Sequence, residues 1–206
     1  MSRTLLGVTH EDDAEEARIW ARALERDGHA FAELFQLHRD RVYRRALGQV
    51  GDVHAAEDVT AAAFFELWRK RGFVRVVDGS VLPWLLVTTV NLSRNHTRGV
   101  TRYRRLLVTL PRTEVASDPA AIVAGAIDRS TTSARVSDAV AGLGARDAAL
   151  LVLTSLEGLS IAEAAKALGV KPGTARMRLH RARQRLRLDL EDLHPATSAL
   201  PTGGIS

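Results

Sequence analysis

Six arginines and one histidine stand between Arg176 and Arg187, and no acidic residue lies among them. Guanidinium groups at this density bind phosphate, and a guanidinium that reaches a groove edge can pair with guanine through two parallel hydrogen bonds. A second acid-free stretch, Gly79 to Thr113, carries Arg94, Arg98, Arg102, Arg104, Arg105 and Arg112. A solvated helix face mixes charge signs, and these two stretches do not. The net charge is +5, while the segments Glu11 to Glu33 and Asp189 to Asp192 are acidic. A polyanion touched at two places is the partner that this distribution fits.

The spacing of the last basic segment separates reading from holding. At about 100° per residue, Ala175, Leu179, Ala182 and Leu186 share one face of a helix. Met177 and Arg181 point away from that face. Arg176, His180 and Arg183 flank them on one side, and Arg178 and Arg185 on the other. Upstream, Ser160-Ile161-Ala162-Glu163 fits a capping box that opens a short helix, and Gly169 ends it. A short capped helix, a tight turn over Gly169-Val170-Lys171 and a basic helix from Pro172 to about Leu190 make a helix-turn-helix. Its second helix enters a DNA major groove. Met177 and Arg181 then face base edges, while the arginines on either flank more naturally hold phosphates. Met177 has no donor and favours an apolar contact such as a thymine methyl.

The remaining elements are helical as well. Helices are expected from Glu11 to Arg26, from His29 to a break at Gly48 and Gly51, from Asp52 to about Arg71, and from Leu82-Pro83 into the basic run. A loop, Gly72 to Ser80, precedes the last of these. The Ala-, Ser-, Thr- and Pro-rich stretch from Pro111 to Thr132 reads as a flexible linker with at most one transient helix near 120–127. Short helices follow at Arg135 to Ala141 and Ala145 to Leu156. The fold class is therefore all-α, two small helical domains joined by a linker, the second holding the helix-turn-helix. The expected boundaries are 1–110, 111–132, 133–192 and a disordered tail, 193–206.

Composition excludes several classes. The 206 residues contain no cysteine, which removes disulfide scaffolds and thiol chemistry. No apolar run approaches the ~20 residues of a membrane span, and no signal peptide is visible, so a soluble cytoplasmic protein without membrane insertion is expected. His54 and Glu57 share a helix face, but no further ligand accompanies them, so no metal and no cofactor is expected. Trp20, Trp68 and Trp84 could stack on bases, but Trp68 and Trp84 lie on apolar stripes and fit a core better.

The stretch Gly158-Leu159-Ser160-Ile161-Ala162-Glu163-Ala164-Ala165, with Leu168-Gly169-Val170 and Gly173-Thr174-Ala175-Arg176-Met177-Arg178-Leu179-His180-Arg181-Ala182-Arg183, resembles region 4 of bacterial sigma-70-family sigma factors. Ala56-Glu57-Asp58-Val59 with Phe64-Phe65-Glu66-Leu67-Trp68-Arg69 resembles region 2.2. Pro83-Trp84-Leu85-Leu86 followed by Asn91 resembles regions 2.3 and 2.4. The two blocks cover about 30–105 and 134–188, with no region 3 between them, which is the layout of the extracytoplasmic-function subfamily. Thr60-Ala61-Ala62-Ala63 is smaller and more apolar than the polar pair usual there.

The resemblance implies a non-enzymatic initiation subunit whose partners are core RNA polymerase and promoter DNA. It places Glu57, Asp58, Ala61 and Ala62 against the clamp coiled coil of the largest polymerase subunit. It places Asn91, Arg94, Arg98, Arg102, Arg104 and Arg105 on the −10 element, next to a loop that captures a flipped base. Thr174, Arg176, Met177, Arg178, His180, Arg181, Arg183 and Arg185 fall on the −35 element, and the match to the family's recognition helix, with the angles above, puts Arg176, Met177, His180 and Arg181 at base edges and Arg178, Arg183 and Arg185 at phosphates. An anti-sigma factor is a partner that the layout permits. Two other readings compete. A helix-turn-helix regulator with an N-terminal sensor domain would bind operator DNA alone. A recombinase-like enzyme would need a nucleophile among the arginines, and only Tyr43 and Tyr103 are tyrosines.

Overall fold

The structure, a computed structural model, describes residues 10–109, 136, 139–140 and 142–191, with the side chains of 10–12, 104–105 and 107–109 excepted. The transient helix expected near 120–127 and the tail from 193 lie outside the described residues. Seven α-helices are described: α1 (His10–Leu24), α2 (Gly28–Val50), α3 (Val53–Arg69), α4 (Leu82–Thr109), α5 (Ala145–Ser155), α6 (Ile161–Leu168) and α7 (Pro172–Asp189).

Local chemistry sets the corners. Asp27 caps α2 by accepting hydrogen bonds from the backbone of His29 and Ala30. The expected helix break at Gly48 does not occur. The helix continues to Val50, and Gly51 ends it in the left-handed conformation with φ 71°. One unsupported glycine costs a helix about 1 kcal/mol, too little to stop it while Ala46 and Leu47 pack on either side. Asp52 caps α3 through the backbone N–H of Ala55 at 2.8 Å, as its position predicts.

The first core joins α1 to α4. It contains Trp20, Ala23, Leu34, Val42, Ala63, Phe64, Leu67, Val81 and Leu85. Trp20, which the stripe argument does not place, is the most enclosed of the three tryptophans. Trp68 is half-buried edge-on against Phe31, with the Arg71 guanidinium 4.7 Å from its ring centre. Trp84 packs partly buried on the same core.

Helix α4 has a second apolar side. Leu86 and Val90 are four residues apart on it and fully buried, and Arg94 continues the row. Leu86 packs with Val77 against Leu150, Leu153, Ala164, Ala165 and Ala175 of the C-terminal half. Val90 packs with Leu143, Ala149, Val152 and Ala182. The halves that the sequence presents as separable domains thus share two apolar clusters.

Candidate nucleic-acid interface

The helix-turn-helix is built as its residues predict. Ser160 Oγ accepts a hydrogen bond from the Glu163 backbone, and the Glu163 carboxylate accepts one from the Ser160 backbone at 2.7 Å, a complete capping box. Gly169 ends α6 at φ 64°, a conformation that side chains with a Cβ resist, and the chain turns at once into Pro172 at the start of α7. Ala175, Leu179 and Ala182 are buried and Leu186 is half-buried. That is the predicted inward stripe.

The opposite face of α7 is exposed and basic. Thr174, Arg176, Met177, His180, Arg181, Arg183 and Arg185 are all exposed, and Met177 has 53% of its surface open. Arg178 differs. It is half-buried and donates to the Asp147 carboxylate of α5 at 2.9 Å. Its guanidinium therefore braces α7 on α5. A shallow pocket lined by Asp147, Gly173, Thr174, Met177, Arg178 and Arg181 opens at the N-terminal end of this face.

In the N-terminal half, Glu57, Asp58 and Ala61 are exposed on α3 and Ala62 is half-buried, so the four residues share an accessible ridge. Phe65 lies on the same ridge with 63% of its surface open. Sequence reasoning assigned it no role, although it falls four residues after Ala61 and opposite the Val59–Ala63–Leu67 stripe. His54 and Glu57 stand 3.6 Å apart and exposed. Among the described residues no group of three metal-capable side chains forms.

The loop before α4 is tightly held. Val77 and Ser80 exchange two backbone hydrogen bonds around Asp78 and Gly79, which have φ of 51° and 85°. Positive φ at both central positions makes a type I′ turn, for which Asp-Gly is a favoured pair. The turn lies so close to α1 that a Cβ on Gly79 would stand 2.6 Å from the Asp13 carbonyl oxygen. The loop's far end is fixed by Glu16. Its buried carboxylate accepts the Val81 N–H at 2.7 Å and sits 2.8 Å from His38 Nε2. Phe73, at the loop's start, is 87% exposed.

The predicted −10 set divides. Arg98 and Arg102 are exposed along α4. The side chains of Arg104 and Arg105 lie outside the described residues. Asn91 is half-buried, and its Oδ1 is buried without a hydrogen-bond partner. Arg94 does not face solvent. It is 7% exposed and donates to the carbonyl oxygens of Val140, at 3.0 Å, and Leu143. Burial, with Arg98 nearby, lowers its pKa from the usual arginine value. The acid-free run gave no sign of this, because a guanidinium that caps carbonyls and one that holds phosphate look alike in sequence.

Comparison with known proteins agrees with this geometry. Residues 34–103 match the family model for sigma-70 region 2, and residues 133–186 match that for sigma-70 region 4. The chain is 33% identical over 173 residues to the RNA polymerase sigma factor CarQ of Myxococcus xanthus, covering 82% of this chain and 94% of CarQ. It is 36% identical over 156 residues to the ECF RNA polymerase sigma factor SigE of Mycolicibacterium smegmatis, covering 75% of this chain and 59% of SigE. It spans about two thirds of the length of BldN of Streptomyces coelicolor, another ECF RNA polymerase sigma factor, at 29% identity with 83% of this chain covered. The solved structure of CnrH in complex with the cytosolic domain of CnrY shares the fold, with a TM-score of 0.54 and 22% identity over 87% of this chain and 99% of that one. Two matched regions in the order 2 then 4, on an all-helical fold that ends in a capped helix-turn-helix with a basic outer face, make this chain a member of the sigma-70 family of RNA polymerase sigma factors, within its ECF group.

Proposed function

We propose that this chain is the subunit that brings core RNA polymerase to promoters and is not itself an enzyme. The observation that carries the reading is the outer face of α7, exposed and acid-free from Thr174 to Arg185 on a helix-turn-helix. Placed in the −35 major groove, α7 directs Arg176, Met177, His180 and Arg181 at base edges and Arg183 and Arg185 at phosphates. Arg178 serves there by bracing α7 on Asp147. The α3 ridge of Glu57, Asp58, Ala61 and Ala62, extended by Phe65, docks on the polymerase. Arg98 and Arg102, with Arg104 and Arg105 beyond them, follow the backbone of the −10 strand. The loop at 72–81 receives a base displaced from the stack, which costs a few kcal/mol and must be repaid by the pocket. Asn91 reads that region once its buried amide is uncovered. Arg94 joins the phosphate contacts only if the carbonyls it now caps are withdrawn.

The natural units of this activity are 1–110, which engages polymerase and the −10 element, and 133–192, which engages the −35 element. An anti-sigma factor that covers both surfaces is the fitting inhibitor. No described helix is long and apolar enough to cross a membrane, consistent with work in the cytoplasm. The test compares DNA binding by the chain alone with binding in the presence of core polymerase. Promoter-selective binding only in the assembled holoenzyme supports the reading. Tight, sequence-specific binding by the chain alone, with no affinity for polymerase, favours an ordinary helix-turn-helix regulator instead.

A further inference from the structure

One carboxylate of the N-terminal half stands where a core side chain would be expected. Glu16, Trp20 and Ala23 share a face of α1 at helical spacing, and Trp20 and Ala23 pack into the first core. Glu16 continues that row and is 5% exposed. An acid is almost never this buried unless it is partnered. Both of its partners meet a single oxygen. Glu16 Oε1 accepts the Val81 backbone N–H at 2.7 Å and lies 2.8 Å from Nε2 of His38 on α2, which is buried with it. One turn earlier on α1 the Asp13 carbonyl stands against Gly79 and leaves no room for a Cβ. The acid comes from α1, which precedes the matched segment 34–103, whereas the loop and His38 lie within that segment.

Stability alone does not require this arrangement. Replacing a buried polar pair with well-packed apolar side chains is often neutral or stabilising. What a hydrophobe in place of Glu16 cannot do is accept the Val81 N–H. Val81 is fully buried and joins the Val77–Ser80 turn to Leu82, the first residue of α4. Without Glu16 its donor is left unpaired inside the protein, a condition that native folds avoid. Glu16 therefore fixes the point at which the loop enters α4. Upstream, Val74 and Val76 pack on the first core and Val77 is buried, which leaves Phe73, Arg75 and Asp78 exposed. Held at both ends, the loop presents those three side chains in one arrangement. Loops are mobile by default, and a binding loop gains from a support that sets it before its ligand arrives.

We infer that Glu16, braced by His38, is a positioning residue for recognition of the −10 element: its Oε1 sets the loop at 72–81 by accepting the Val81 N–H. Glu16 itself is enclosed and touches no DNA. The inference rests on the reading, proposed above, that this loop receives a base displaced from the −10 strand. The acceptor oxygen is the working part. Glutamine, which keeps an oxygen at that position, preserves the role, and leucine, of similar size, removes it.

The experiment uses the full-length chain assembled with core polymerase. Promoter fragments carry a fluorescent base analogue in the non-template strand of the −10 element, and its emission rises when the base leaves the stack. The −35 element is held constant. Glu16→Leu should lower the unstacking equilibrium by roughly 5- to 150-fold, the range for one buried donor left unpaired. It should also flatten the preference across a −10 library while binding to −35 duplex stays unchanged. Glu16→Gln should stay close to wild type, and His38→Leu should fall between the two. Hydrogen exchange at the Val81 amide of the free chain needs neither polymerase nor DNA. It should be slow in wild type and Glu16→Gln and faster in Glu16→Leu. If Glu16→Leu fails to fold, replacing Val81 with its α-hydroxy acid analogue deletes the N–H, leaves every side chain in place and should reproduce the loss. Wild-type unstacking and −10 preference in folded Glu16→Leu or in the ester variant overturn the positioning role. So does Val81 exchange that stays slow in Glu16→Leu, and so does a loss in Glu16→Gln equal to that in Glu16→Leu. A wild-type holoenzyme that binds the promoter and gives no unstacking signal overturns base capture by the loop, and the positioning role with it. A wild-type signal that Glu16→Leu retains overturns the positioning role alone.

Discussion

Replacing Arg181 with alanine isolates what the outer face of α7 contributes. Arg181 is exposed, projects opposite Ala175, Leu179 and Ala182, and has no ion pair among the described residues. Its removal takes no packing from the fold, and surface changes of this kind stay within about ±0.5 kcal/mol. At DNA, one bidentate contact to a base is worth about 1–3 kcal/mol of discrimination, or roughly 5- to 150-fold at a single position. Arg185 provides the contrast. It lies 3.8 Å from Asp189 with both side chains largely exposed, a pair worth little to stability. Its loss should cost one phosphate contact, weaken all sequences alike and lower the salt slope by about 0.9. The assay is competition of holoenzyme for a promoter library randomised across the −35 element, repeated at several salt concentrations, with urea melts of each variant. Arg181→Ala should change the preferred sequence at one position and keep its melt. Arg185→Ala should keep the preference. Arg178→Ala should also lower stability, because Asp147 loses its partner. Uniform loss by Arg181→Ala and Arg185→Ala across all −35 sequences would refute the division between reading and holding.

Other expected outcomes concern single contacts. Asp58→Lys, on the exposed ridge of α3, should reduce co-purification with core polymerase while its melt stays near wild type; unchanged co-purification removes Asp58 from the contact. Ser160→Ala should cost about 1 kcal/mol in a denaturant titration, because the capping box loses its acceptor for the Glu163 N–H, and a neutral result would show the cap to be dispensable. Gly79→Ala should destabilise by about 1–3 kcal/mol from its left-handed backbone alone, with the Asp13 carbonyl clash in addition, and an unchanged melt would contradict the turn geometry. Hydrogen bonding from Arg22, and then from the Ala30 backbone, holds the Asp27 carboxyl below the ordinary 3.8. A folded-state value below the unfolded one contributes stability that is complete above about pH 5 and is lost progressively as the pH falls through the unfolded value and then the lowered one. Asp27→Asn should therefore shrink the acid-side loss of stability, and an identical acid limb in both proteins would rule Asp27 out as a source of it.

The helix-turn-helix was legible because each of its signals is local. A capping box spans four residues, Gly169 announces its left-handed stop, and the buried stripe of α7 follows from the angle between neighbours. The α3 ridge was legible for the same reason. What the sequence conceals is α4, which is buried on two sides. Its Trp84–Leu85–Leu92 side shows as an ordinary stripe, whereas Leu86, Val90 and Arg94 form a second row that meets residues of the C-terminal half more than forty positions away in sequence. Periodicity reports that a face is apolar and not what covers it, and the charge of Arg94 concealed its place in that row. Glu157 was equally silent, since a single acid in a turn acquires meaning only when Arg41 and Arg45 are brought to it. Gly48 was misleading in the opposite sense, because tertiary packing outweighs one unfavourable helix position.

Run-off transcription with purified core polymerase tests the central claim most directly. Templates drawn from the genome that encodes this chain are transcribed by core alone, by core with the wild-type chain, and by core with a chain in which Arg176, His180 and Arg181 are all alanine. The account predicts discrete transcripts that start downstream of paired −35 and −10 sequences, appear only with the wild-type chain and are lost with the triple variant. Transcripts that do not depend on the chain, or a triple variant that starts at the same sites with the same strength, would contradict it.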